Sequence, residues 1–489
     1  MKFNIKLSSF SGRINYSGDE YVVFFTNYFK SKKELSEINS ELDVSPNKIS
    51  ERELLSDDKN KVSFSDKHGN FVFIKFKPEE ITTDFFRDKL SEEILNLSPE
   101  VNKMFVRLPK YDSVNSKFDE EYFFQSAIEG ILLGNYEFNV YKSEKKKSSK
   151  LEVVFVTDKS KLFNAAKRKA EKLIEAVYFS RNLVNEPAIT LTPEEFVKRV
   201  KKEFSGTNVK VTAYSHAQLK KMKMNAILAV GGGSDHKPIL LKLEYKPSGA
   251  KDKIALVGKG VTYDSGGYSI KPTDGMVDMK GDMAGAAAVV GTFAAANKLG
   301  IKKHLLGFIP LVENMVNGSS YKPGDIVTTA SGKSIEVKNT DAEGRIVLAD
   351  ALEYACKHKP NKIIDFATLT GACVVALGEF AAGIFTKNDE LKDKLVSAGE
   401  KTYELVWPLP FMDVYKKLLD SKIADISNLG PRWGGAITAA KFLENFVDEN
   451  IPYVHVDLAG PALKHNLTSY TKDWATGFGV RLMAEFLNN

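Results

Sequence analysis

Asn339-Thr-Asp-Ala-Glu-Gly-Arg345 places two carboxylates and a guanidinium within seven residues. Asp341 and Glu343 stand two apart, and in an extended stretch that spacing turns both side chains to one side. Gly344 then allows a tight bend, and residues 346–354 read as a helix that packs inward. Two acids forced together on a buried shelf repel strongly unless a cation sits between them. Alone, an Asp-x-Glu is an ordinary acidic turn. A second cluster upstream favours the cation.

That cluster lies in Ile254-Ala-Leu-Val-Gly-Lys-Gly-Val-Thr-Tyr-Asp-Ser-Gly-Gly267, which reads as a buried strand running into a glycine-rich loop. Lys259 and Asp264 fall at the strand's exit, where ligands gather in open α/β sheets. Lys271 follows in Ser269-Ile-Lys-Pro272, and Asp282 stands where a helix begins. Taken singly, a lysine is a solvated charge and an aspartate at a helix start is an N-cap. Together Asp264, Asp282, Asp341 and Glu343 carry four negative charges, which two divalent cations would neutralise. Oxygen ligation without histidine or thiolate suits Mn, Mg or Zn better than copper or an iron–sulfur cluster. A lysine ligand has to be neutral, and burial beside dications depresses its pKa; Lys259 is the candidate. The pattern is that of a two-metal hydrolase, with ions roughly 3.5–4 Å apart.

At these residues the chain closely resembles the leucyl aminopeptidase (cytosol aminopeptidase) family. The matching strings are Val257-Gly-Lys-Gly-Val-Thr-Tyr-Asp-Ser-Gly-Gly267, Met279-Lys-Gly-Asp-Met-Ala-Gly-Ala-Ala287 and Asn339-Thr-Asp-Ala-Glu-Gly-Arg-Ile-Val-Leu-Ala-Asp350. Glu313-Asn-Met315, Pro323-Gly-Asp325, Ala367-Thr-Leu-Thr-Gly-Ala372 and Gly435-Ala-Ile-Thr-Ala-Ala-Lys-Phe-Leu443 support them. The likeness spans about residues 181–489, with a weaker extension over 129–138.

The resemblance implies that Lys259, Asp264, Asp282 and Glu343 hold one metal and Asp264, Asp341 and Glu343 the other, with Asp264 and Glu343 bridging. It implies two divalent ions per subunit, Zn or Mn with Mg as an alternative. Lys271 would polarise the scissile carbonyl and stabilise the oxyanion, while Arg345 would anchor a bicarbonate acting as base towards a metal-bridging water. No histidine lies in either motif to serve instead. The implied activity is release of N-terminal residues from peptides, leucine-like ones preferred, with the free α-amine on one metal and beside Asp282. By likeness, Met279, Asn339, Thr368, Gly371, Ala459 and Ala462 line the pocket for the first side chain; Met279 and the alanines read equally as core packing. Tyr263 replaces a phenylalanine common in the family, and its hydroxyl either bonds Asp264 or points to water. The loop Gly430-Pro-Arg-Trp-Gly-Gly435 and the string Gly460-Pro-Ala462 border the expected pocket. Likeness also implies a homohexamer. A dipeptidase using the same site is one rival reading; a catalytically dead homologue is opposed by the intact motifs.

Composition limits the partners. Over 489 residues, 69 basic against 63 acidic side chains leave only +6, which argues against nucleic acid, so a DNA-binding member is the minor alternative. The one dense basic run, residues 142–150, lies between strand-like segments at 136–141 and 151–157 and reads as a solvated hairpin loop. The two cysteines, Cys356 and Cys373, sit in apolar surroundings, exclude a disulfide framework and fit a reducing cytoplasm. Met1-Lys-Phe-Asn-Ile-Lys-Leu interleaves charge and reads without a signal peptide. The alanine-rich run 284–296 is too short for a membrane span and reads as a tightly packed helix.

The elements that must position these groups follow from periodicity. Residues 1–157 mix strands (21–25, 71–76) with helices such as 120–133, giving a smaller α/β domain whose charged middle, 31–61, is expected to pack poorly. Leu162, Ala166, Ala170, Leu173 and Val177 recur at helical spacing, placing a linker helix at 158–184. Thr192-Pro-Glu-Glu195 starts a helix with Thr192 as cap and Glu195 at the capping-box position. Strands and helices then alternate through a larger catalytic domain, 185–489, expected to be α/β with a mixed central sheet covered by helices on both faces. Gly231-Gly-Gly-Ser234 reads as a turn between strands at 226–230 and 239–245, and Ser331-Gly-Lys-Ser334 as a hairpin turn rather than a P-loop, since position 327 is valine. His455 reads as a satisfied strand histidine.

Overall fold

Phenylalanine and β-branched residues occupy both faces of the strands near the N-terminus, so these strands need cover on each side. The computed structural model describes residues 1–12, 20–42, 44, 46–67, 69–114, 118–144 and 147–488. It divides into two units, Met1–Ile174 and Glu175–Asn489, with the division inside the helix Ser160–Asn185.

In the first unit, strands β1 (Phe3–Phe10), β2 (Tyr21–Asn27), β3 (Lys61–Asp66), β4 (Gly69–Phe76), β5 (Lys103–Arg107) and β6 (Ser149–Val156) form a sheet in the order β1-β6-β5-β2-β4-β3. All neighbours run parallel except β3, which pairs antiparallel with β4. Val23, Phe25, Ile74 and Val106 join one apolar cluster with the helices Phe85–Asn96 and Glu120–Gly134; Val22, Phe24, Phe73 and Phe105 join another with Leu35 and Leu54. The charged stretch 31–61 therefore packs better than its composition predicts. Its helices, Lys32–Leu42 and Lys48–Leu55, each turn a leucine inward and leave the charges outside. Residues 136–141 are not a strand. The Asn135 side chain accepts from Phe3 N at 2.7 Å and donates to Phe3 O at 2.9 Å, occupying the edge of β1. Val140 and Tyr141 lie exposed, so strand pairing there would bury nothing. In the basic run beyond them, Lys145 and Lys146 lie outside the described residues.

The second unit carries β7 (Val209–Tyr214), β8 (Ile239–Tyr245), β9 (Lys253–Gly258), β10 (Gly260–Asp264), β11 (His304–Asn314), β12 (Ile326–Thr328), β13 (Ser334–Glu336), β14 (Lys362–Ala367), β15 (Ala382–Thr386), β16 (Val406–Pro408), β17 (Ile426–Ser427) and β18 (Tyr453–Asp457). The large sheet runs β16-β15-β18-β14-β9-β11-β8-β7, with β10 paired to β11; β12, β13 and β17 form a small second sheet. Four central strands, β18, β14, β9 and β11, are parallel, so their carboxyl ends lie at one edge. β10 is parallel to β11 and exits there too. The mixed α/β architecture agrees with the expectation. Thr192 caps its helix by accepting from Glu195 N, although the Glu195 carboxylate binds Arg199. Ser331-Gly-Lys-Ser334 closes the β12–β13 hairpin. Residues 226–230 belong instead to the helix Asn225–Val230, because Ala226, Ile227 and Val230 bury one helical face and the Asp350 carboxylate accepts from Ile227 N. His455 lies on β18, buried, with Nδ1 2.7 Å from Asp365 Oδ1. The helix Ala284–Leu299 is buried over nearly all its length, and no helix among the described residues is long and apolar enough to cross a membrane.

Candidate active site

The sheet edge gathers the acids that lie far apart in sequence. Asp264 ends β10, while Lys259 sits in the break between β9 and β10. Asp282 follows a short turn, Met279–Gly281, just ahead of the helix Ala284–Leu299. Asp341 and Glu343 converge by a route other than an extended stretch: Asp341 lies in a turn and Glu343 is the first residue of the helix Glu343–Cys356. Single carboxylate oxygens of Asp264, Asp341 and Glu343 all fall within 4.8 Å of one another.

Gly344 is inside that helix rather than at a bend. A Cβ there would stand 2.4 Å from Lys259 Cε and 2.6 Å from Nζ, so the missing side chain lets the lysine lie against the helix's first turn. Gly266 is required too: its φ of +86° is left-handed, and a Cβ would meet Asp341 Oδ1 at 2.8 Å.

Two ammonium groups tie the acids together. Lys259 Nζ is 2.7 Å from Asp282 Oδ1, 2.9 Å from Glu343 Oε1 and 3.0 Å from the carbonyl of Thr368. Lys271 Nζ lies 3.0 Å from Asp264 Oδ2 and 2.6 Å from Asp341 Oδ1. Burial works against the Lys259 charge, but with no cation present Asp282, Glu343 and Asp264 outweigh it and hold its pKa above the ordinary lysine value. Lys271 is raised likewise, burial being overcome by Asp264 and Asp341. The acids are raised as well, with burial as the largest cause. Burial, added to by Asp264, pushes Asp282 up to about 6 despite Lys259. Burial and Asp264 push Glu343 up to about 8.

Asp282 Oδ2 and Glu343 Oε2 are buried without a hydrogen-bond partner among the described residues. A buried carboxylate oxygen left bare is costly, and a cation is the partner that such a set of oxygens fits. Arg345, also buried, donates through Nη1 to Asn428 O at 2.8 Å while its Nε has no partner; burial pushes its pKa down to about 10.

The pocket candidates are placed unequally. Thr368 is in direct contact, its hydroxyl donating to Asp282 Oδ1 at 2.8 Å. Asn339 Oδ1 accepts from Asp341 N at 2.7 Å, and Met279 is half-buried in the turn before Asp282. Gly371 is exposed, with nothing within 4 Å of where a Cβ would stand, whereas Ala459 is half-buried and Ala462 buried. Among the described residues Tyr263 makes no bond to Asp264, whose Oδ1 accepts from Gly266 N and Asn314 Nδ2. Asn314 was quoted from sequence only within the supporting string Glu313-Asn-Met315 and was given no role there. Its amide also donates to Thr340 O at 2.9 Å, fixing Asp264 beside the Asp341 turn. The available signal was that string, which puts an acid and an amide at the end of the mostly apolar β11.

An α/β sheet with an oxygen-rich cation centre at its strand exits is the architecture of a metal-dependent hydrolase. Residues 178–484 match the profile of the cytosol aminopeptidase family, catalytic domain. A probable cytosol aminopeptidase of Chloroherpeton thalassium is 44% identical over 387 residues, 76% of each chain. A mutant of tomato leucine aminopeptidase superposes with a TM-score of 0.86 at 32% identity, covering 99% of this chain and 96% of its own. The bottromycin maturation enzyme BotP in complex with Mn superposes with a TM-score of 0.84 at 30% identity, covering 96% and 99%. The chain belongs to the cytosol aminopeptidase family and is a metal-dependent hydrolase acting on the N-terminal residues of peptides.

Proposed function

We propose that the chain is a leucyl-type aminopeptidase working through two divalent ions per subunit, Zn or Mn with Mg as an alternative. The observation that carries this reading is the pair of bare, buried oxygens, Asp282 Oδ2 and Glu343 Oε2, beside the Asp264–Asp341–Glu343 cluster. Lys259, Asp264, Asp282 and Glu343 would hold one ion, and Asp264, Asp341 and Glu343 the other. Bound there, the ions supply a water acidified towards neutrality and a Lewis acid for the scissile carbonyl.

The protein's own groups do the rest. Asp282 receives the α-amine of the peptide, which limits cleavage to the first residue. Lys271 keeps a proton at Nζ and donates it as a hydrogen bond to the developing oxyanion. Arg345, with a bare Nε in a buried setting, would hold a bicarbonate, which when bound would supply the base. Met279, Asn339, Thr368, Gly371, Ala459 and Ala462 form the first-residue pocket, small and apolar enough to prefer leucine-like side chains. The chain works as a cytoplasmic homohexamer, with an N-terminal domain over 1–157, a linker helix over 158–184 and a catalytic domain over 185–489.

Leucine p-nitroanilide hydrolysis by metal-stripped protein, with Mn or Zn restored separately, tests the proposal. Recovery by either ion supports it; a rate indifferent to stripping overturns it.

A further inference from the structure

Asp457 ends β18 as a carboxylate with no solvent exposure, and it touches none of the candidate metal ligands. A buried carboxylate persists only where donors surround it. Those donors come from two different strand exits. Leu369 N lies 3.1 Å from Oδ1 and Thr370 Oγ1 lies 2.6 Å from Oδ2, both just beyond β14. Ala459 N lies 3.2 Å from Oδ1, just beyond β18 itself.

Each contact sits next to a pocket residue. Leu369 separates Thr368 from Thr370, and Thr370 Oγ1 in turn accepts from Cys373 N at 3.0 Å, capping the helix Gly371–Leu377. On the other side Leu458 N donates to Ala367 O and Ala462 N to Leu458 O, so the turn carrying Ala459 and Ala462 starts from the same point. On the pocket reading, Thr368 and Gly371 would form one wall and Ala459 and Ala462 the other, and the Asp457 carboxylate is bonded to the turn that carries each.

We propose that Asp457 is a positioning residue that sets the width of the first-residue pocket and thereby the choice of N-terminal side chain. This rests on the pocket reading given above. Removing the Asp457 carboxylate frees both walls; of the cation centre only Lys259 and Asp282 touch them, each through Thr368, and both keep their bond to one another, so selectivity moves more than metal binding.

The test compares leucine and alanine p-nitroanilides with the metal-loaded full chain. Asp457→Ala is expected to raise KM for the leucine substrate about tenfold relative to alanine, with kcat changing less than KM and metal content retained. Asp457→Asn keeps an Oδ1 acceptor for Leu369 N and Ala459 N and is expected to restore most of the preference. Thr370→Val, which removes only the hydroxyl contact, should move the ratio in the same direction by less, and it decides the matter if Asp457→Ala does not fold. An unchanged ratio in Asp457→Ala or, failing that variant, in Thr370→Val overturns the proposal, as does an equal loss on both substrates or a loss of metal. Gly371→Val adds bulk where space is open and checks the pocket itself. If it leaves the ratio untouched, the pocket reading has failed, and the proposal falls with it whatever Asp457 does.

Discussion

At the scale of single residues, the site is a compromise between acids that repel and ammonium groups that hold them. Glu343 and Asp282 keep protons to about pH 8 and pH 6, because burial disfavours their charged forms. A protonated carboxyl cannot ligate, and neither can the Lys259 ammonium, so metal affinity should fall as pH drops, through about 8 and again through about 6 for the two acids, and binding should release protons. Isothermal titration of stripped protein in two buffers of different ionisation enthalpy measures this; a heat independent of buffer would contradict it. Lys271→Met removes one oxyanion donor, worth about 3–4 kcal/mol, and should lower kcat by roughly 100- to 1000-fold with metal content unchanged by elemental analysis. The residues in these predictions were legible in sequence because charge crowds into short motifs there. The roles of Asn314, Asn428 and Asp457 were not: each meets the site across a strand or turn distant in the chain, as Asp457 meets Thr370 over 87 residues, and no local spacing shows what such a residue will bond.

At the scale of elements, close approach decides more than propensity. Gly344→Ala would gain about 1 kcal/mol of helix propensity and lose roughly 1–3 kcal/mol to overpacking against Lys259. Its melting temperature should therefore shift little, while kcat/KM falls at least about 100-fold as the lysine is displaced. A variant with wild-type turnover would show that Lys259 need not lie against the helix. In the first unit, Lys75 is buried and its ammonium meets the carbonyls of Glu53, Leu54 and Ser56 at the end of the helix Lys48–Leu55, at 3.0, 3.0 and 2.5 Å. Lys75→Met takes the ammonium from all three carbonyls, of which Glu53 O keeps its bond from Ser56 N, and should cost about 1–3 kcal/mol, read from urea denaturation followed by fluorescence. The 26-residue helix Ser160–Asn185 was legible from its apolar period. The short helix Asn225–Val230 was not, since six apolar-rich residues suit a strand equally until Asp350 caps them from outside the segment.

At the scale of the whole molecule, a net charge of +6 over 489 residues gives little attraction for nucleic acid, and the chain should not be retained on DNA at physiological salt. Sedimentation velocity should return six times the 54.3 kDa chain mass; a monomer that is fully active would contradict the hexamer. The α/β class was readable from alternating strand and helix patterns, but the order β18-β14-β9-β11 that brings the acids to one edge was not, because register and crossover are settled by packing between distant segments. The cation centre that this order assembles is tested most directly by counting metal per chain in active protein and following leucine p-nitroanilide turnover as a chelator removes it. Two ions per chain, with turnover vanishing as they leave and returning when they are restored, is the predicted result. Full turnover from protein carrying no metal would contradict it.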